Sequence, residues 1–148
     1  MFKTGKNMTD LDYAGDISPL EAWELLENES NCHLVDCRTA AEWNFVGVPD
    51  LTQIEKKALF IEWQTLPHME KNASFLQEIN DSIVSKETKI ILLCRSGARS
   101  RSAAEFLTNH GYKNCFNLSE GFEGVHDSKG HRGNIEGWKK ALLPWKQG

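Results

Sequence analysis

Apolar residues recur along this chain with two alternating periods. Ser18-Pro19, followed by Glu21 and the set Ala22, Trp23, Leu25 and Leu26, predicts a capped helix. Ser18 suits the N-cap, Pro19 the first helical position, and Glu21 can reach back to the cap from N3. Ala73, Leu76, Ile79, Ile83 and Val84 share one face of a helix over about 72–85. Ala103, Phe106, Leu107 and His110 line another, with Gly111 placed to end it at C′. The polar stretch from Thr39 to Trp43 opens a shorter helix leading to Gly47. Between these lie short β-prone runs: Tyr13–Asp16 as an edge, then Cys32–Asp36, Ala58–Glu62, Lys89–Leu93 and Asn114–Asn117. Lys89–Leu93 is continuously apolar after its lysine, as a strand buried on both faces of a parallel sheet reads.

Strands alternating with helices in this way predict an α/β domain with a mostly parallel sheet and helices on both faces. Its ligand site belongs at the carboxyl ends of the strands. At 148 residues the chain has room for one domain, which we place at 13–148 after a flexible N-terminal segment, 1–12. The formal charge of −4 gives no global reason to expect nucleic-acid binding. Four irregularly spaced cysteines do not make a disulfide framework. The longest wholly apolar run, Ile90–Cys94, is far short of the roughly 20 residues that span a bilayer. No apolar run follows the first lysines as an export signal requires, so the expectation is a cytoplasmic protein with no membrane partner.

The chemistry concentrates where Lys89–Leu93 gives way to the next helix, in Cys94-Arg95-Ser96-Gly97-Ala98-Arg99-Ser100. A glycine-containing turn from strand to helix curls backbone N–H groups inward as an anion cradle, reinforced by the helix N-terminus. Ser96, Gly97, Ala98 and Ser100 would form that cradle, and Arg95 and Arg99 flank it with groups matched to oxyanions. A cysteine at its start is favoured as the thiolate. Loop length separates two chemistries. Cysteine phosphatases place five residues between the cysteine and the arginine, whereas here the spacing is Cys-x4-Arg. The smaller ring suits a sulfur atom transferred onto Cys94 better than it suits phosphate.

The loop Cys94–Arg99 resembles the active-site loop of the rhodanese family, and of its single-domain thiosulfate sulfurtransferases in particular. Asp36-Cys37-Arg38 with Glu42-Trp43, the stretch 45–50, Leu118–Phe122 and the tail 130–139 match as well, so the resemblance covers about residues 12–146. It implies a three-layer α/β/α fold whose five-stranded parallel sheet runs in the order 1-5-4-2-3. It also implies Cys94 as the nucleophile carrying a persulfide, Arg95 and Arg99 on the donor's anionic end, and Asp36 and Arg38 bracing the loop. A small inorganic sulfur donor such as thiosulfate and a thiol, cyanide or protein acceptor follow, with no metal and no organic cofactor. A carrier that accepts persulfide from a partner protein is the alternative, and a cysteine-dependent arsenate reductase a weaker one. Position 37 departs from the common pattern in being cysteine, and Phe45 stands where a histidine is usual.

Other residues are read more plainly. Alternation along a strand turns Asp36 and Cys37 to opposite faces, so Cys37 reads more readily as an inert buried thiol than as a partner resolving a persulfide or sulfenate at Cys94. Cys32 and Cys115 read as structural thiols. His126, Asp127 and His131 match no metal-ligand spacing, and 126–133 reads as a flexible surface loop that brings Arg132 to the pocket rim. Trp138 and Trp145 are expected to anchor a C-terminal helix and tail.

Overall fold

Two capping boxes and one buried strand set the frame of the computed structural model, which describes residues 12–148. The expected flexible segment 1–12 therefore lies, apart from Asp12, outside the described residues. Ser18 Oγ accepts from the Glu21 N–H at 3.1 Å and Glu21 Oε1 from the Ser18 N–H at 2.8 Å, opening helix α1 (Pro19–Asn28) as its sequence predicts. Thr39 and Glu42 repeat the device at the start of α2 (Ala40–Phe45). Helices α3 (Phe75–Ser82) and α4 (Ala98–Asn109) complete the set, and Gly111 follows α4 with a φ of 96°.

The central sheet holds β1 (Gly15–Ile17), β2 (Cys32–Asp36), β3 (Leu59–Phe60), β4 (Lys89–Leu93) and β5 (Asn114–Leu118). All four pairings are parallel and the order is β1-β5-β4-β2-β3. This is the expected 1-5-4-2-3 arrangement. Alternate residues of β2 and β4 feed two cores. Val35, Ile90 and Leu92 pack with Phe75, Ile79 and Ile83 of the α3 region and Ala103, Ala104 and Leu107 of α4. Leu34, Ile91 and Leu93 pack on the other face with Ala22 and Leu26 of α1, Phe122 and Trp138. Two antiparallel ribbons lie outside the sheet, Val48–Pro49 with Trp145–Lys146 and Gln64–Thr65 with Glu70–Lys71.

Three expectations change. Val84 does not join the core face of α3. The helix ends at Ser82, and Val84 is 95% exposed beyond it. The strand expected over Ala58–Glu62 keeps only Leu59–Phe60 in the ladder. No C-terminal helix forms: Gly133 and Gly137 hold positive φ, residues 138–142 turn, and Trp145 pairs as a strand with Pro49. Trp138 is fully buried nonetheless, its indole N–H donating to Pro144 O at 2.8 Å.

Leu92 sits at 0% exposure on the central strand beneath α3 and α4. Leu92→Ala should therefore cost about 2 to 5 kcal/mol in equilibrium denaturation, with the slope of the transition unchanged.

Candidate active site

The turn from β4 to α4 takes its shape from two glycines in contact with other backbone. Gly97, the N-cap of α4, has a φ of 106°, and a Cβ there would run into the Ser119 carbonyl. Gly121 has a φ of 73°, and a Cβ would strike the Arg95–Ser96 peptide. The segment after β5 thus packs backbone to backbone against the turn. Phe122 N–H donates to Cys94 O at 2.8 Å, and Glu123 and Gly124 N–H donate to Arg95 O at 3.0 and 3.1 Å.

Within that clamp Cys94 is 1% exposed, and its sulfur receives the Gly97 N–H at 3.2 Å. Its other neighbour is Ser100 Oγ, also at 3.2 Å. The Ser100 hydroxyl donates to Asn117 Oδ1 at 2.5 Å, Asn117 Nδ2 donates to Asp16 Oδ1 at 3.1 Å, and Tyr13 OH donates to the same oxygen at 2.8 Å. Because the Asp16 carboxylate only accepts, it orients the Asn117 amide, and the amide orients the Ser100 proton. Ser100 Oγ is then an acceptor for a Cys94 thiol, and its hydroxyl must swing to donate to a Cys94 thiolate. Burial, and then the hydrogen bond to Asp16, push the Tyr13 phenol up to about 12, so that end of the chain stays protonated.

A cavity of about 260 Å³ opens over the sulfur, lined by Met69, Cys94, Arg95, Ser96, Ala98 and Arg99. The two arginines differ. Arg95 is exposed at the mouth, and among the described residues it makes no ion pair. Arg99 is held by Glu42 in a two-pronged pair at 2.7 and 2.9 Å, both side chains about four-fifths buried. Burial pushes the Glu42 carboxyl up, but the Arg99 hydrogen bonds, the Thr39 N–H and the Arg99 charge outweigh it and leave the group at about 2.

Asp36 and Arg38 form a fully buried pair, Arg38 Nε donating to Oδ1 at 2.9 Å and Nη2 to Oδ2 at 2.6 Å. Arg38 also donates to Gly47 O at 2.9 Å and lies 4.3 Å over the Phe122 ring. Since Phe122 is hydrogen-bonded to Cys94 O, the pair braces the turn through that ring rather than by touching the sulfur.

The residue opposite Cys94 is Cys37, not Asp36. The β2–β4 register pairs Asp36 with Leu93, and Cys37 N–H donates to Leu93 O at 2.9 Å, the parallel ladder bond that faces Cys37 toward Cys94. Both cysteines belong to the core beneath α3 and α4, whereas Leu34 and Leu93 point the other way. Arg132 is not among the residues lining the cavity. Its guanidinium donates instead to the carbonyl of Gly124, one of the clamp residues, at 2.6 Å. Nor is 126–133 a loose loop: the Asp127 carboxylate accepts from Lys129 N–H, His131 N–H and the Asn134 amide at 2.8–2.9 Å. No cluster of metal-ligating side chains occurs among the described residues, and none of their helices is long and apolar enough to cross a membrane.

Sequence reasoning gave no role to Asn117, Asp16 or Met69, and none to Glu42, Gly121 or Phe122 beyond their places in matching motifs. Glu42 carried a signal, three residues after Thr39 in a capping box, and Asn117 another, a polar residue inside a β-prone run.

Two outcomes follow. Gly121→Ala should distort the turn, seen as a slowed reaction of Cys94 with iodoacetamide and a loss of stability. The Glu42 carboxyl is depressed in the fold, so its stabilisation is present above its ordinary value near 4.5 and is lost as pH falls toward 2. Glu42→Gln should flatten the acid limb of stability against pH between about 5 and 2, by on the order of 2 kcal/mol.

Comparison with known proteins places this geometry. A family model described as the STR4 middle domain matches residues 14–148. An uncharacterized protein of Rickettsia rickettsii, the RP600 homolog, is 45% identical over 131 residues, covering 88% of this chain and 96% of its own. The crystal structure of Rv0390 from M. tuberculosis superposes with a TM-score of 0.84 at 46% identity, covering 92% of this chain and 99% of that one. At greater distance, the chloroplastic protein THYLAKOID RHODANESE-LIKE of Oryza sativa subsp. indica is 29% identical over 88% of this chain and 25% of its own. The thiosulfate sulfurtransferase GlpE of Actinobacillus pleuropneumoniae is 28% identical over 74% of this chain and 83% of its own. The chain belongs to the STR4 middle-domain family and is a rhodanese-like domain.

Proposed function

We infer that the protein is a sulfurtransferase that moves sulfane sulfur from thiosulfate or a similar anionic donor to a thiophilic acceptor, through a persulfide on Cys94. One observation carries this reading. The Cys94 sulfur lies at the floor of a small cavity at the N-terminus of α4, takes a backbone N–H at 3.2 Å, and has a solvent-facing arginine above it. The similarity to GlpE, a thiosulfate sulfurtransferase, supports it.

In this mechanism the Cys94 thiolate attacks the outer sulfur of thiosulfate, and sulfite departs with the bonding pair. Arg95 pairs with the donor's sulfonate end and with the charge that grows on sulfite. The Gly97 N–H and the reoriented Ser100 hydroxyl remain beside Sγ as the persulfide forms. A thiol, cyanide or a protein thiolate then removes the outer sulfur, with no metal or organic cofactor in the sequence of steps. Arg99 contributes less charge than its place in the motif suggests, because Glu42 already neutralises it.

Reduced protein incubated with thiosulfate should gain one sulfur, about 32 Da by intact mass. Cyanide should discharge it as thiocyanate, and Cys94→Ser should gain nothing. An adduct from a protein persulfide donor but not from thiosulfate would mark a carrier instead. Failure with every sulfur donor would refute sulfur transfer and direct the test to arsenate. Arg95→Ala should lower kcat/KM for thiosulfate about 10- to 100-fold, the loss of one charged hydrogen-bonding group, while leaving thermal stability close to that of the parent.

A further inference from the structure

The buried Cys37 thiol stands beside the nucleophile, and the sulfur-transfer steps above make no use of it. The register that pairs Asp36 with Leu93 sets Cys37 against Cys94 on adjacent parallel strands. Such strands lie about 4.8 Å apart, within the roughly 4.4–6.8 Å between Cα atoms that a disulfide spans. The alternation of the two cores puts both side chains on one face. The other two thiols are remote, Cys32 opposite Lys89 and Cys115 opposite Ile90, each at least four residues back along β4 from Cys94, or about 13 Å. Among the described residues, Cys37 alone of the remaining cysteines adjoins the site. It is fully buried, so it serves Cys94 rather than a thiol in solution.

We propose that Cys37 discharges the Cys94 persulfide as hydrogen sulfide, closing a Cys37–Cys94 disulfide and giving the protein a sulfane-reducing activity besides transfer. This rests on the persulfide reading of Cys94. In the step, Cys37 Sγ attacks Cys94 Sγ from the core side while the outer sulfur leaves on the cavity side. The Sγ–Sγ bond forms and the bond from Cys94 Sγ to the outer sulfur breaks. The Cys37 proton passes to the outer sulfur before the attack, the Cys37 thiolate then displaces that sulfur with its bonding pair, and Cys94–S–S⁻ and Cys37–SH become the disulfide and HS⁻. The Cys37 sulfur is oxidised to the disulfide level, which Cys94 Sγ already holds in the persulfide, the outer sulfur is reduced to sulfide, and no external oxidant enters. A dithiol reductant must reopen the disulfide before another turnover.

The surroundings suit this order of events. Burial pushes the Cys37 thiol well above its usual range, and the charge of Cys94 acts in the same direction. Cys37 therefore stays protonated while Cys94 takes up sulfur, and it holds the proton that the departing sulfide needs. Transfer to a good external acceptor competes with this discharge, so sulfide release dominates when acceptors are scarce.

The test uses the full chain, reduced, freed of reductant and given thiosulfate with no acceptor. Wild type should release sulfite, then about one sulfide per chain, and end about 2 Da lighter than the reduced protein, with a Cys37–Cys94 peptide in a non-reducing digest. Cys37→Ser and Cys37→Ala should release sulfite but no sulfide and stay about 32 Da heavier. Brief reduction of the discharged wild type with a dithiol, itself then removed, should restore the reduced mass and a second round of sulfide release with fresh thiosulfate. The proposal is overturned if wild type keeps its extra sulfur as long as the variants do, or if the sulfur is found on Cys37. If neither wild type nor variants release sulfite or gain mass, the persulfide reading itself has failed, and this inference falls with it.

Discussion

The backbone clamp between the Cys94 turn and the segment after β5 is the constraint on which the rest of the site depends. Three N–H groups from Phe122, Glu123 and Gly124 take up the Cys94 and Arg95 carbonyls. With those carbonyls turned away, the Gly97 N–H points back at the sulfur. Neither side of the clamp tolerates a Cβ, at Gly97 or at Gly121, because the opposing atoms are peptide groups that cannot move aside. The curvature of the turn and the aim of its N–H at the sulfur follow from this contact.

Charge is arranged around the clamp so that little of it is free. Asp36 and Arg38 are buried together, a costly arrangement that is stable because their hydrogen bonds are short and Arg38 also reaches Gly47 O. Among the described residues Arg38 Nη1 has no hydrogen-bond partner, and the face of the guanidinium lies on Phe122 instead. Glu42 ties Arg99 to the start of α2. What remains for a ligand is Arg95 at the mouth, the backbone N–H at the sulfur and the positive end of α4. The polar chain from Tyr13 through Asp16 and Asn117 to Ser100 ends beside the sulfur and governs one proton.

Local pattern proved a good guide wherever the forces are local. The Ser18 capping box, the β2 and β4 strands with the bounds their apolar runs predict, and the Gly111 stop after α4 each depend on residues within a few positions. The errors cluster where distant segments compete. Leu59–Phe60 is cut short at the edge of the sheet, where only β2 offers partners. The tail near Trp138 gave up helix for turns and a ribbon with Val48–Pro49, because its glycines take left-handed φ and Gly137 packs on the backbone of Glu123 and Gly124.

The α/β/α sheet order, through the resemblance, the Cys-x4-Arg turn at the end of an apolar strand and the candidate nucleophile at its start were all legible in the sequence. Those are carried by contiguous residues and by the preferences of strand, turn and helix N-terminus. Three-dimensional packing is what sets Cys37 rather than Asp36 against Cys94, Glu42 on Arg99, Arg132 on Gly124 and Asn117 on Ser100. Each of these depends on strand register or on a side-chain pairing across segments far apart in the chain. A shift of one residue in register exchanges the faces of a strand, and nothing in the local pattern around Cys37 records which register the sheet adopts.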